Sequence, residues 1–174
     1  GLCVIDPHGS LVADIFPFIP RSRADDVIYF NPGALDRPMG LNLLEGETDE
    51  EKELVAMDAM NIMIKLFNEE IFGPRIQDYF RNGCLTLMAD PDGGALTDIV
   101  RLFTDDDFQR FKVGFVKNPI VRSFWTNQMA KTGQREKQEM IPYFAAKFGQ
   151  FVTNTMMRNI IGQAKSSFDF DKVM

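Results

Sequence analysis

The sequence predicts a mainly α-helical protein with a partial α/β edge at its start. Three observations carry that expectation. Two short apolar runs, Leu2–Ile5 and Val27–Phe30, flank a helical stretch, which is the order of a βαβ unit. A capping box stands at Thr48-Asp49-Glu50-Glu51, where the Thr48 hydroxyl accepts from the N3 amide and Glu51 reaches back. From there to Gln163 apolar residues recur at helical spacing, with no convincing strand. The expected division is a fragment of an α/β domain over 1–47, an all-α domain over 48–165, and a short linker over 166–174.

Leu2–Ile5 is stopped by Asp6-Pro7, as a buried parallel strand ending at a turn would be. Ser10 is placed to cap a short amphipathic helix from Leu11 to about Phe16, which Pro17 and Pro20 close. After the polar link Arg21–Asp26, the second run ends at Asn31-Pro32-Gly33. Two strands do not make a stable sheet, so the remaining strands are expected elsewhere in a longer chain. The opening Gly1-Leu2-Cys3-Val4-Ile5 has no initiator Met and reads the same way, as a piece of a longer protein.

The helix opened by Thr48 is expected to run to about Asn68, with Val55, Met57, Met60, Met63, Ile64 and Phe67 as its apolar stripe. Gly73-Pro74 breaks it, and a second helix covers about Arg75–Ala89. The turn Asp90–Gly94 precedes a short helix near Thr97–Phe103. Thr104 is placed to cap the next one, whose first turn is filled by Asp105, Asp106 and Asp107, where the helix dipole favours acids. Asn118-Pro119 pairs an N-cap with a first-turn proline, opening a helix over about Pro119–Lys131. The last helix, or kinked pair, spans about Arg135–Gln163, with Pro142 at its start or kink.

Composition narrows the function. The 174 residues are 45% hydrophobic and 25% charged, the balance of a soluble protein with a packed core. A net charge of −6 excludes nucleic-acid binding through overall basicity and leaves only a local patch. Residues Gln134–Lys165 hold Arg135, Lys137, Lys147, Arg158 and Lys165 against Glu136 and Glu139, so any anion-binding face belongs there; a solvated helix surface gives the same count. Two cysteines, Cys3 and Cys84, are too few for a disulfide framework and point to a reducing, cytoplasmic setting. No apolar run approaches the roughly 18 residues of a membrane helix, and no signal peptide is visible.

The motif with most chemical promise is Asp6-Pro7-His8-Gly9, at the strand-to-helix edge where open α/β sheets bind ligands. An aspartate there orients a water, a metal-bound water or a neighbouring side chain. Equally, Asp6 and Gly9 shape only the turn while His8 lies at the surface. One histidine supports no nucleophile–His pair and, with two distant cysteines, no zinc site. The Asp90–Gly94 loop lacks the ligand spacing of a calcium hand. The methionines and Trp125 read as core filling. No Gly-x-x-x-x-Gly-Lys-Ser/Thr phosphate loop occurs, and no apolar strand ends in Asp-Glu. No catalytic residue is therefore expected within this chain, and on its own it is expected to be inactive towards nucleotides.

The series Leu2-Cys3-Val4-Ile5-Asp6-Pro7-His8-Gly9-Ser10, Ile19-Pro20-Arg21 and Asp26-Val27-Ile28-Tyr29-Phe30 resembles the FtsK–HerA superfamily of P-loop ATPases. The likeness is greatest to the type IV secretion and conjugative-transfer kind, coupling proteins included. Gly40-Leu41-Asn42-Leu43-Leu44, Gly73-Pro74-Arg75, Leu102-Phe103-Thr104-Asp105, Phe124-Trp125 and Ile160-Ile161-Gly162-Gln163 before Phe168-Asp169-Phe170 extend it over nearly the whole chain. The resemblance implies a RecA-like core over 1–47, an inserted all-α domain over 48–165, and a return to the core over 166–174. It places the chain between the phosphate loop and the acidic metal-and-water motif of a motor that moves DNA or secreted protein. It further implies ATP and Mg in the parent protein, with none bound by this piece, a homo-hexamer, and a parent at the cytoplasmic face of the inner membrane. By position in the motif alone, Asp6, His8 and Gly9 stand near the nucleotide. Two other readings compete: a helical module that recruits a protein or nucleic-acid substrate without nucleotide chemistry, and a stand-alone α domain.

Overall fold

In the computed structural model, residues 2–68, 70–169 and 172 are described. The helices are α1 (Ser10–Ile15), α2 (Asp49–Phe67), α3 (Pro74–Ala89), α4 (Asp98–Thr104), α5 (Asp106–Val113), α6 (Pro119–Ser123), α7 (Gln134–Thr153) and α8 (Thr155–Ile161). Two 3₁₀ turns, Phe16–Phe18 and Arg21–Asp26, follow α1, and a π-helix, Phe124–Met129, continues α6. The chain is mainly helical, as expected, and no β-strand occurs among the described residues. The linker expected over 166–174 is described only to Asp169 and at Lys172, so Phe170 and Asp171 lie outside the described residues.

The two apolar runs depart from expectation. Leu2–Ile5 and Val27–Phe30 form no ladder, and they are not buried: Leu2 and Ile5 are 83% and 86% exposed. A strand exists by pairing its N–H and C=O rows with a neighbour, and no described segment supplies one. Between residues 2 and 39 no residue is buried at all. Ser10 does not cap α1 either. It is the first helical residue, Gly9 at φ 80° holds the cap position, and the Asp6 carboxylate accepts from Val12 N at 3.0 Å.

From Thr48 the helical expectation holds closely. Thr48 Oγ1 accepts from Glu51 N at 3.2 Å, and Glu51 Oε2 accepts from Thr48 N at 3.1 Å, a complete capping box. The buried stripe of α2 is Ala56, Ala59 and Met63, flanked by Val55, Met60, Ile64 and Phe67, while Met57 faces outward. The α3 helix opens on Pro74 and buries Ile76, Tyr79, Phe80, Asn82, Gly83, Cys84, Thr86, Leu87 and Met88. Burial on nearly every side makes it the central helix, packed against α2, α4, α5 and α6. Gly83 permits the closest of these approaches, because a Cβ there would lie 2.5 Å from Ile99 Cδ1.

Three boundaries move by a residue or more. Asp105, not Thr104, caps α5, accepting from the Asp107 and Phe108 amides; Thr104 ends α4 and donates its hydroxyl to Val100 O. Asn118 caps α6 as expected, but the helix then widens to i→i+5 bonding, with Ala130 N donating to Trp125 O. Pro142 lies inside α7, and the kink falls at Asn154, whose extended backbone ends α7 and whose side chain accepts from Met157 N to start α8.

An aromatic stack fills the interior. Tyr79 stacks on Phe103 and Phe80 on Phe148, each pair at 5.5 Å between centroids, and Phe144 links the two at 4.8 Å from Phe103 and 5.0 Å from Phe148. Trp125 packs against Phe103 and donates Nε1–H to Thr86 Oγ1 at 2.8 Å. The Thr86 hydroxyl donates in turn to Asn82 O, so the one polar atom of the buried indole is satisfied. No helix among the described residues is long and apolar enough to cross a membrane.

Candidate functional site

The expected site residues Asp6, His8 and Gly9 lie together in one tight turn. Asp6 Oδ1 accepts from His8 N at 3.1 Å and Oδ2 from Val12 N at 3.0 Å. The Val12 amide bond, with those of its neighbours, holds the carboxyl below the usual aspartate range. Gly9 occupies the left-handed region, and a Cβ there would meet nothing within 4 Å, so the requirement for glycine is conformational rather than steric. His8 is exposed. The turn therefore presents an ionised carboxylate and an imidazole on the surface, and among the described residues no hydrogen bond or ion pair joins them to the helical module.

The most highly organised polar cluster lies where the chain enters and leaves the helical module. Asn42 is buried and its Nδ2 donates to Gly94 O at 3.1 Å, Ala164 O at 2.8 Å and Leu44 O at 3.3 Å, while Oδ1 accepts from Leu44 N. Around it the ingoing and outgoing segments are laced together. Gly40 N donates to Ser167 Oγ at 2.7 Å, Ser167 N to Gly40 O at 2.9 Å, and Asn42 N to Ser166 Oγ at 2.9 Å. Leu41 N donates to Ile160 O, Gln163 Nε2 to Pro38 O, and Ser166 N to the Glu45 carboxylate. Gly40 is required by close approach, since a Cβ would stand 2.8 Å from Lys165 O.

One step further in, Lys112 of α5 ties this clasp to the module. Its Nζ donates to Asp90 Oδ2 at 2.6 Å and to Gly93 O at 2.7 Å, with the two side chains only 8% and 4% exposed. Burial pushes the Asp90 carboxyl up, but the Lys112 hydrogen bond, the Asp92 amide and the Lys112 charge outweigh it and hold it below its ordinary value. The Asp90–Gly94 loop is thus a turn, as expected, and also a buried ion-pair anchor. An open cleft of about 420 Å³ borders it, with Glu45, Lys52, Asp92 and Lys165 among its lining.

Sequence reasoning did not single out Lys112. The signal was available, because Lys112 lies four residues after Phe108, on the face of α5 turned towards the core. The basic residues of 134–165 do not form one anion site. Arg135 pairs with Glu139, Lys147 lies over the Tyr143 ring, and Arg158 donates to Val152 O. Burial pushes the Cys84 thiol up, which makes it inert packing. The two segments Gly40–Leu44 and Ile160–Gln163, far apart in sequence, prove to be halves of the clasp. Comparison with protein-family models, with curated proteins and with solved structures finds no match of any of the three kinds.

Proposed function

We propose that this chain is part of a DNA- or protein-translocating motor ATPase of the type IV secretion and conjugation kind, chiefly its helical substrate- or partner-contacting insertion. The clasp is the observation that carries this reading. With residues 38–45 and 160–167 hydrogen-bonded side by side, a chain can leave one domain, build the helical module and return at almost the same point. The uncovered apolar residues of the first segment, Leu2, Ile5 and Phe18 foremost, support the other half. Here they are read as residues that the rest of a RecA-like core would cover.

On this reading Asp6, His8 and Gly9 stand near the nucleotide of a hexameric parent that uses ATP and Mg. Their turn offers a carboxylate but no cradle of amides, so holding the phosphates falls to a phosphate loop elsewhere in the parent. The test is Mg-ATP hydrolysis by the complete reading frame to which this sequence belongs, with and without DNA. Mg-dependent turnover that DNA accelerates is the expected result. A complete frame with no phosphate loop and no turnover overturns the reading.

A second reading, a recruiting module without nucleotide chemistry, is favoured by one fact: of the described residues 2–39, Phe30 is the only hydrophobic one that packs against the core cluster. The module builds most of its interior from its own residues. Binding of DNA that weakens steeply with salt, in a frame lacking ATPase activity, is the result that selects this reading.

A further inference from the structure

We propose that the groove between α3 and the α6–π-helix segment binds an arginine side chain carried by a partner protein. The groove is open and measures about 390 Å³; Asp78 and Asn82 form one wall, Ser123, Asn127 and Gln128 the other, with Phe124 between them. Phe124 is buried, whereas Ile120 at the rim is 77% exposed. The inference rests on the helical module alone and stands apart from any nucleotide role.

Three features of the groove ask for a ligand rich in donors. The Asp78 carboxylate accepts from two neutral amides, Asn82 Nδ2 at 3.0 Å and Gln128 Nε2 at 2.9 Å. Among the described residues no cation pairs with it. Asn82 is more than nine-tenths buried and its Nδ2 donates to Asp78 O and Oδ1, while its Oδ1 accepts from no described residue and is the part of the side chain that opens to solvent in the groove. The opposite wall is a π-helix, a geometry that recurs at functional sites because it re-aims side chains.

A guanidinium fits this demand. It carries five N–H donors in one plane, enough to engage the Asp78 carboxylate and the free Asn82 carbonyl together. Its methylene stem then covers Ile120 and the edge of Phe124. A chain of net charge −6 also favours basic partners during encounter.

The test uses the full chain and two probes, N-acetyl-leucyl-arginine amide and its glutamine counterpart, titrated while the side-chain amide resonances of Asn82, Asn127 and Gln128 are followed. The indole N–H of Trp125, held by Thr86, reports whether the core is intact. The arginine probe is expected to shift the three amides saturably, with affinity on the order of millimolar for so small a ligand. Asp78→Asn should weaken it about tenfold and Ile120→Ala about threefold, with the indole resonance in place. Absence of saturation, equal binding of the glutamine probe, or undiminished affinity in Asp78→Asn overturns the proposal. Should Asp78→Asn disturb the indole resonance, the exposed Ile120→Ala variant decides instead.

Discussion

Asn42 engages both polar atoms of its side chain inside the protein, holding the ingoing chain, the α3–α4 loop and the outgoing chain at once. Asn42→Ala takes the side-chain donor from the buried carbonyls of Gly94 and Leu44 and from the more open one of Ala164, so a loss of about 1–3 kcal/mol is expected in urea unfolding. Lys112 and Asp90 form the other fixed point. Lys112→Met leaves a buried carboxylate without its cation, which costs about 3–5 kcal/mol near neutral pH. The pH dependence follows from the sign of the shift. The Asp90 carboxyl lies below its unfolded value, so its contribution is complete above about pH 4 and is lost as pH falls through the folded value. The gap in stability between the protein and Lys112→Met should therefore close under acid, as Asp90 takes up its proton. A gap that stays constant down to the acid transition contradicts the ion-pair account. Periodicity gives neither residue its role: the Gly94 and Ala164 carbonyls that Asn42 reaches belong to distant segments, and the place of Lys112 four residues after Phe108 marks a core-facing position without naming Asp90 as its partner.

At the level of elements, the sequence was most legible where local chemistry decides. Thr48 and Glu51 close their box on each other without help from distant residues, and Gly73-Pro74 and Asn118-Pro119 open helices because proline suits the first turn. Errors fell where two neighbours compete for one job. Asp105 displaced Thr104 as the α5 cap because its carboxylate accepts from both the Asp107 and Phe108 amides, and Arg101 adds an ion pair at 3.0 Å. The kink came at Asn154 rather than Pro142, since the Asn154 side chain caps α8. The π-helix was not anticipated, because its packing is tertiary: Phe124 and Trp125 lie against Tyr79 and Phe103 of the α3–α4 aromatic stack, and Met129 is buried with them. Gly83 marks the tightest contact in that stack. Gly83→Ala should lower stability by about 1–3 kcal/mol through overpacking against Ile99. A calorimetric midpoint equal to that of the parent sequence shows that α4 yields freely and contradicts the close packing described here.

Taken whole, the molecule has two unlike parts. Residues 2–39 bury nothing, while the rest holds a continuous core whose chain ends are clasped together. The helical part was legible from periodicity, because its apolar residues meet partners within the same stretch. The strands expected at Leu2–Ile5 and Val27–Phe30 carry the right pattern, but pattern supplies no partner, and a ladder needs two sides. The clasp was invisible to periodicity for a related reason: its hydrogen bonds pair backbone groups of one segment with Ser166, Ser167 and Gln163 side chains 124 to 127 positions away. The turn at Asp6, His8 and Gly9 was located correctly as a turn, and its link to a nucleotide rests on the resemblance.

On the proposed reading, the helical module is an insertion whose two ends meet at the clasp, set into an ATP-driven motor. It is tested most directly by excision. In the complete reading frame, residues 41–165 are replaced by a short Gly-Ser linker joining Gly40 to Ser166, and Mg-ATP hydrolysis is measured beside that of the intact frame. Because Gly40 and Ser167 already exchange hydrogen bonds, the shortened protein should fold and retain basal hydrolysis while losing its acceleration by DNA or protein substrate. An excised protein that is unfolded or without basal activity, from an intact frame that turns over ATP, would contradict the account.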